Sequence, residues 1–191
     1  VVLGNLASLA RREEDQEGAL QLWNEVLELE EDRLSALVQS YQIEQERGNR
    51  DAAFEFIRRA RTAHPDNVYV LRVYAYELMR NGDIDSALAE LNRGLESAPE
   101  NVDLFAFAGT IAHMSGDRAR ALQHFARAAE LEPDNIAFQY RLAVLYEETG
   151  QFGEAESVAK ELLTIDNAHA GARLISARNA MRAKDFKRAQ E

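Results

Sequence analysis

Residues 102–135 read VDLFAFAGTIAHMSGDRARALQHFARAAELEPDN. Apolar residues recur at helical spacing on both sides of Ser115-Gly116-Asp117, so the stretch predicts two amphipathic helices joined by a short turn. The unit then repeats. Pro65, Pro99 and Pro133 stand 34 residues apart, as do Gly48, Gly82, Gly116 and Gly150, and Ala19, Ala53, Ala87, Ala121, Ala155 and Ala189 keep the same interval.

Each recurring residue has a physical reason for its place. Gly116 follows the first helix, where a left-handed residue ends the helix without a Cβ clash. Asp117, like Asp83, is placed to cap the next helix. Ala121 is expected to face its partner helix, because a side chain with nothing beyond Cβ lets two backbones approach closely. Pro133 stops the second helix. Leu71, Phe105, Trp23, Phe125 and Tyr146 fall at the complementary large positions and read as core.

A helix-turn-helix unit of this length resembles the tetratricopeptide repeat family, and the resemblance runs from end to end of the chain. It implies an all-α fold, a right-handed α-solenoid superhelix of antiparallel helix pairs. It also implies a single domain over 1–191 with repeats 1–33, 34–67, 68–101, 102–135, 136–169 and a partial 170–191. In such a solenoid each unit touches only its neighbours, so stability accumulates from one interface to the next.

Composition narrows the function. The 191 residues carry 33 acids against 22 lysines and arginines, a net charge of −11. Nucleic-acid phosphates must be met by a basic stripe, so nucleic acid is excluded as a partner and a basic or mixed partner is favoured. Residues 1–33 alone hold nine acids and three arginines, so acidity concentrates at that end. The longest apolar run, Leu104 to Ala112, is far shorter than the roughly 18 residues of a membrane-spanning helix, so no direct membrane insertion is expected.

Cysteine is absent, which removes disulfides, thiolate metal sites and thiol nucleophiles together. Three lysines beside nineteen arginines point to a bacterial source, and the expected location is soluble, in cytoplasm or periplasm. With no initiator Met or signal peptide, and with Lys187 to Glu191 falling inside an expected second helix, the chain reads as a piece of a longer protein. No capping helix is visible at either end, so end-to-end self-association is a further expectation.

Departures from the repeat carry their own expectations. Glu14 stands in the first glycine slot, so that turn is expected to end its helix by another route. Tyr41 occupies the small position of the second repeat and Glu44 a normally apolar one, and that pair is expected to sit slightly displaced. Arg58, Arg59 and Arg61 read as a solvated outer face. Asn167 replaces a proline. The sixth repeat keeps Ala177, Ala180 and Ala189 and has Lys184 in its turn slot, making it half a helix pair.

Catalytic, cofactor and metal sites are not indicated. His64, His113, His124 and His169 are scattered, with no pair at helical metal-site spacing. Glu13-Glu14 and Glu147-Glu148 are adjacent residues, which do not face one another on a helix. General acid-base work needs carboxylates that converge. Every glycine in register ends a helix, which leaves no phosphate-cradling loop, so the segment does not read as an enzyme and no cofactor is expected.

The resemblance places the first helices of successive pairs along a concave groove. The groove stripe falls at the second, fifth, ninth, twelfth and thirteenth positions of each repeat, offset from the packing stripe. The third repeat contributes Tyr69, Arg72, Tyr76, Met79 and Arg80. The fourth adds Asp103, Ala106, Thr110, His113 and Met114, and the fifth adds Ala137, Tyr140, Val144, Glu147 and Glu148. Toward the first repeat the stripe thins to Gly4, Ser8, Arg11 and Arg12, which is basic. Tyr, Met and Arg are types enriched at interface cores.

The expected function is therefore a scaffold that binds a partner protein or peptide in its groove, within a larger multi-protein assembly. Two other settings for it are a segment of a bacterial envelope or exopolysaccharide secretion protein, and the regulatory arm of a larger enzyme or transcription factor. Two known specialisations of the family are missing their residues. Val38, Gln42, Arg72, Tyr76, Ala106 and Thr110 do not form the carboxylate clamp of the chaperone-binding subgroup. Asn5, Gln39, Val73, Phe107, Arg141 and Ile175 do not form the asparagine ladder of the glycosyltransferase-linked subgroup.

Overall fold

A computed structural model describes residues 2–190, with side chains for 2–183. Among them are eleven helices and no strand: α1 (Val2–Arg12), α2 (Gln16–Leu29), α3 (Leu34–Glu46), α4 (Arg50–Ala63), α5 (Val68–Arg80), α6 (Ile84–Ser97), α7 (Val102–Met114), α8 (Arg118–Leu131), α9 (Ile136–Glu148), α10 (Phe152–Ile165) and α11 (Ala170–Gln190).

The turns within pairs share one construction. Gly48, Gly82, Gly116 and Gly150 all have φ between 79° and 85°, and the next residue donates its N–H five residues back, as Asp117 does to the Ala112 carbonyl at 2.9 Å. Asp117 and Asp83 then accept from the backbone N–H groups of Arg120 and Ser86. The first turn corrects the expectation of a different route. Glu14 itself adopts the left-handed conformation at φ 63°, and Asp15 N–H reaches the Ala10 carbonyl at 3.0 Å. The repeat imposes the geometry even where the residue resists it.

Turns between pairs are capped by side chains that the sequence reading passed over. Asn67, Asn101 and Asn135 accept from the N–H groups of Val70, Leu104 and Phe138 at 3.0 to 3.3 Å. Their own 34-residue spacing was the available signal. His169 holds the corresponding place before α11, and its Nδ1 accepts from Ala172 N–H at 3.1 Å. At the proline slot filled by Asn167, α10 still ends at Ile165, with Asp166 Oδ1 accepting from Ala168 N–H.

The sixth repeat is corrected. Instead of turning at Lys184, α11 runs unbroken from Ala170 to Gln190, because lysine offers no reason for a helix to stop. The side chains of Lys184 and Ala189 lie outside the described residues.

The chain divides into two compact units, Val1–Glu90 and Leu91–Glu191. In the N-terminal unit α2 packs on α1 and α3, and α4 on α3 and α5. In the C-terminal unit α8 packs on α7 and α9, and α10 on α9 and α11. The alanine register sits on the helices of these seams: Ala19, Ala53, Ala121 and Ala155 are fully buried, and so is Ala87 on α6. Trp23, Leu71 and Phe125 are core as expected, with Trp23 lying against Gly4. Phe105 and Tyr146 depart from that expectation and are only half-buried. The second repeat closes despite Tyr41, with Leu37, Ile43, Ile57 and Ala60 fully buried.

Candidate functional site

On α5 the buried stripe is Val70, Leu71, Ala75 and Leu78, which turns Tyr69 and Tyr76, two turns apart, to the other side. They are 45% and 41% exposed, and Arg72 is exposed beside them. Met79 is half-buried. The guanidinium of Arg80 lies 5.6 Å from the Tyr76 ring centroid, close enough for a cation–π attraction.

This face is held from beneath by a polar network on α1, α3 and α5. Arg11 donates to Gln42 Oε1 at 2.8 Å and to Glu46 at 2.6 Å, and Gln42 Nε2 donates to the Tyr69 hydroxyl at 3.2 Å. A chain of hydrogen bonds thus ties three successive first helices together. Below it Glu77, 3% exposed, accepts from the Tyr41 hydroxyl and from Gln45 Nε2, both at 2.8 Å, and pairs with Arg80 at 3.2 Å. Burial, then the hydrogen bond and charge of Glu77, push the Tyr41 phenol well above its usual range. The consequence is a tyrosine that stays neutral and keeps donating.

Two expectations change here. Arg11 is not a free cation of the basic stripe, because it donates to Gln39 and Gln42 and pairs with Glu46, while Arg12 stays exposed. Arg61 is not on a solvated face, since it forms a largely buried ion pair with Glu90 at 2.7 Å. Arg58 does remain exposed, paired with Glu55. The glutamines were missed because polar residues at these spacings leave no apolar period to read.

In the C-terminal unit the residues separate by role. Met114 is open to solvent. His113 Nε2 lies 3.0 Å from Glu148 Oε2, which also accepts from Arg118 at 3.1 Å. Tyr140 is half-buried, its ring over Gly171 and 4.9 Å from the His169 ring, and Val144 packs on the core of this unit. Glu147 is not solvated as its neighbour is. Its side chain is 10% exposed and accepts from Arg178 and Arg182 of α11 at 3.1 and 3.2 Å. The His124 ring lies tilted against that of Phe105, with centroids 6.2 Å apart, and burial, then nearby Arg120, hold its imidazole below the usual histidine value.

Among the described residues no three His, Cys, Asp or Glu side chains converge as a metal site, and no helix is long and apolar enough to cross a membrane. What the N-terminal unit does offer is a pair of exposed aromatic rings on a hydrogen-bonded base.

Comparison with known proteins gives one consistent result. No curated protein matches the chain by sequence. The structure of YrrB, described as a tetratricopeptide repeat protein with an unusual peptide-binding site, aligns at TM-score 0.68 and 20% identity, covering 89% of this chain and 88% of that one. MamA from Desulfovibrio magneticus RS-1 aligns at TM-score 0.70 and 15% identity, over 88% and 96% of the two chains. PilF from Pseudomonas aeruginosa aligns at TM-score 0.68 and 18% identity, over 97% and 85%. At these identities the likeness concerns the fold. The tetratricopeptide repeat family model matches residues 44–108 and 112–163, more than half of the sequence. With the alanine, glycine and proline register seated in its seams and turns, the chain belongs to the tetratricopeptide repeat family.

Proposed function

We propose that the protein is an interaction scaffold, and that the first-helix face of its N-terminal unit holds a peptide segment of a partner protein. The observation that carries this is the pair Tyr69 and Tyr76, exposed two turns apart on one face of α5 next to a hydrogen-bonded network. Aromatic anchors give large contact area, and a surface already ordered by the Arg11–Gln42–Tyr69 relay loses little freedom on binding. Arg80, held by Glu77 and Gln45, adds positive charge beside the Tyr76 ring. The net charge of −11 favours a partner that is basic elsewhere. YrrB is a protein of the same fold with a peptide-binding site, which makes this use of the fold a reasonable one.

Such a module presents a surface and needs no catalytic group or cofactor. The test is to select peptides from a displayed library on the 191-residue chain and map the selected peptide by methyl NMR. The Met79 methyl, on the same helix as the tyrosines, is expected to shift on titration while Met181 stays still. A peptide that moves no signal from α5 contradicts the proposal.

A further inference from the structure

Tyr69 and Tyr76 stand seven residues apart on α5, which sets them about 10.5 Å apart along its axis and at nearly the same angle around it. A partner must repeat its own contacts at close to that interval. Three forms of chain do so: a helix over seven residues, a strand over three and a polyproline II segment over three, at about 10.5, 10 and 9.3 Å. Spacing alone does not choose among them.

Hydrogen bonding does. The Tyr69 hydroxyl accepts from Gln42 Nε2 at 3.2 Å, which leaves its proton for a partner. Tyr76 meets Arg80 through its ring, and its hydroxyl engages none of the described residues. Both side chains are exposed, so two phenol protons are on offer. The acceptors beside them are already engaged. On α3, Gln39 Oε1 and Gln42 Oε1 take Arg11, Gln45 Oε1 takes Arg80, and Glu46 takes Arg11 and Gln16.

Each form of chain answers this face differently. A helix uses its carbonyls and N–H groups internally, so its backbone leaves both phenol protons unmatched. A strand offers carbonyls but brings an N–H at every residue, and those turned to the protein lose water where acceptors are already occupied. A proline-rich segment offers carbonyls free of internal hydrogen bonds and has no N–H at its prolines. Its conformation is set before binding, so little freedom is lost.

We propose that the segment held by the Tyr69–Tyr76 face is a proline-rich polyproline II stretch. Prolines three residues apart lie on the two rings, and its carbonyls take the two phenol protons. The proposal rests on the reading of this face as a peptide site and names the class of peptide.

The test titrates decaproline into the 191-residue chain, with an alternating alanine–serine decapeptide as the proline-free control. Decaproline is expected to shift the Met79 methyl and leave Met181 still, and the control to bind at least ~10-fold more weakly. Tyr69→Phe/Tyr76→Phe keeps both rings, removes both protons and is expected to weaken decaproline at least ~10-fold. Both positions are exposed, so the variant is expected to fold, which circular dichroism checks. Decaproline that leaves Met79 unmoved overturns the proposal, and so does unchanged affinity in the double variant. Library-selected peptides that shift Met79 yet hold no proline overturn it too, while leaving the face a peptide site. Selected peptides that move no signal from α5 remove that reading and the proposal with it.

Discussion

The second and fourth repeats solve one packing problem in opposite ways. At the eighth position of the fourth repeat stands Gly109, and the space is taken by Phe125, whose ring atoms lie 2.7 to 3.2 Å from where a Cβ on Gly109 would be. At the same position in the second repeat stands Tyr41, buried, with its hydroxyl carried across to Glu77 on the next first helix at 2.8 Å. Ile57 occupies the place of Phe125. One seam is dry and steric; the other is closed by a buried carboxylate that must be fully partnered. The 34-residue period therefore specifies where helices start, stop and touch, and leaves open what fills the seam.

The sharpest way to break the comparison is to empty the dry seam. Phe125→Ala deletes the ring that Gly109 makes room for and is expected to cost about 3 to 5 kcal/mol in urea unfolding. A loss below about 1 kcal/mol contradicts steric closure.

Next comes the polar seam. Tyr41→Phe removes one donor from buried Glu77 and is expected to cost about 1 to 2 kcal/mol. It also has a pH signature. The folded state holds the Tyr41 phenol above its ordinary value, so its stabilising contribution is complete below pH of about 10 and is lost as pH rises through the folded value. The unaltered protein should lose stability in alkali more steeply than the Phe variant. Parallel pH profiles would remove Glu77 from the account of this seam.

The smallest expected effect is a gain. Glu14 bears a left-handed φ of 63° in a slot where the later repeats have glycine. Glu14→Gly relieves that strain, offset in part by the greater freedom of glycine in the unfolded chain, for a net of about 0.5 to 1 kcal/mol. An unchanged or lowered melting temperature would show that the glycine slot is not where the first turn stores strain.

What was legible in the sequence follows from the same contrast. Small residues at fixed intervals are readable because their reason is local: Gly116 must take a positive φ, Asp117 must cap, and Ala121 must let a backbone approach. Their turns and seams stand as expected. The Tyr41–Gln45–Glu77–Arg80 cluster was not legible, because its members are polar, non-periodic and joined across 3 to 36 residues of sequence. Among site residues, Tyr69 and Tyr76 could be placed on an open face because they lie opposite the apolar stripe of α5. Tyr140 could not be assigned in the same way, since its partial burial depends on Gly171 in the following repeat, over which the ring folds. The unbroken α11 shows the limit of register reasoning: an expected turn needs a residue that forces it, and Lys184 does not.

The claim on which the functional account rests is that Tyr69 and Tyr76 are spent on a partner and not on the fold. Titration calorimetry of the selected peptide against Tyr69→Ala/Tyr76→Ala tests it directly. The account predicts an affinity at least ~30-fold weaker, about 2 kcal/mol, with stability falling by no more than the roughly 1 kcal/mol of the lost Gln42–Tyr69 hydrogen bond. Undiminished affinity with a lowered melting temperature would contradict it and assign both rings to packing.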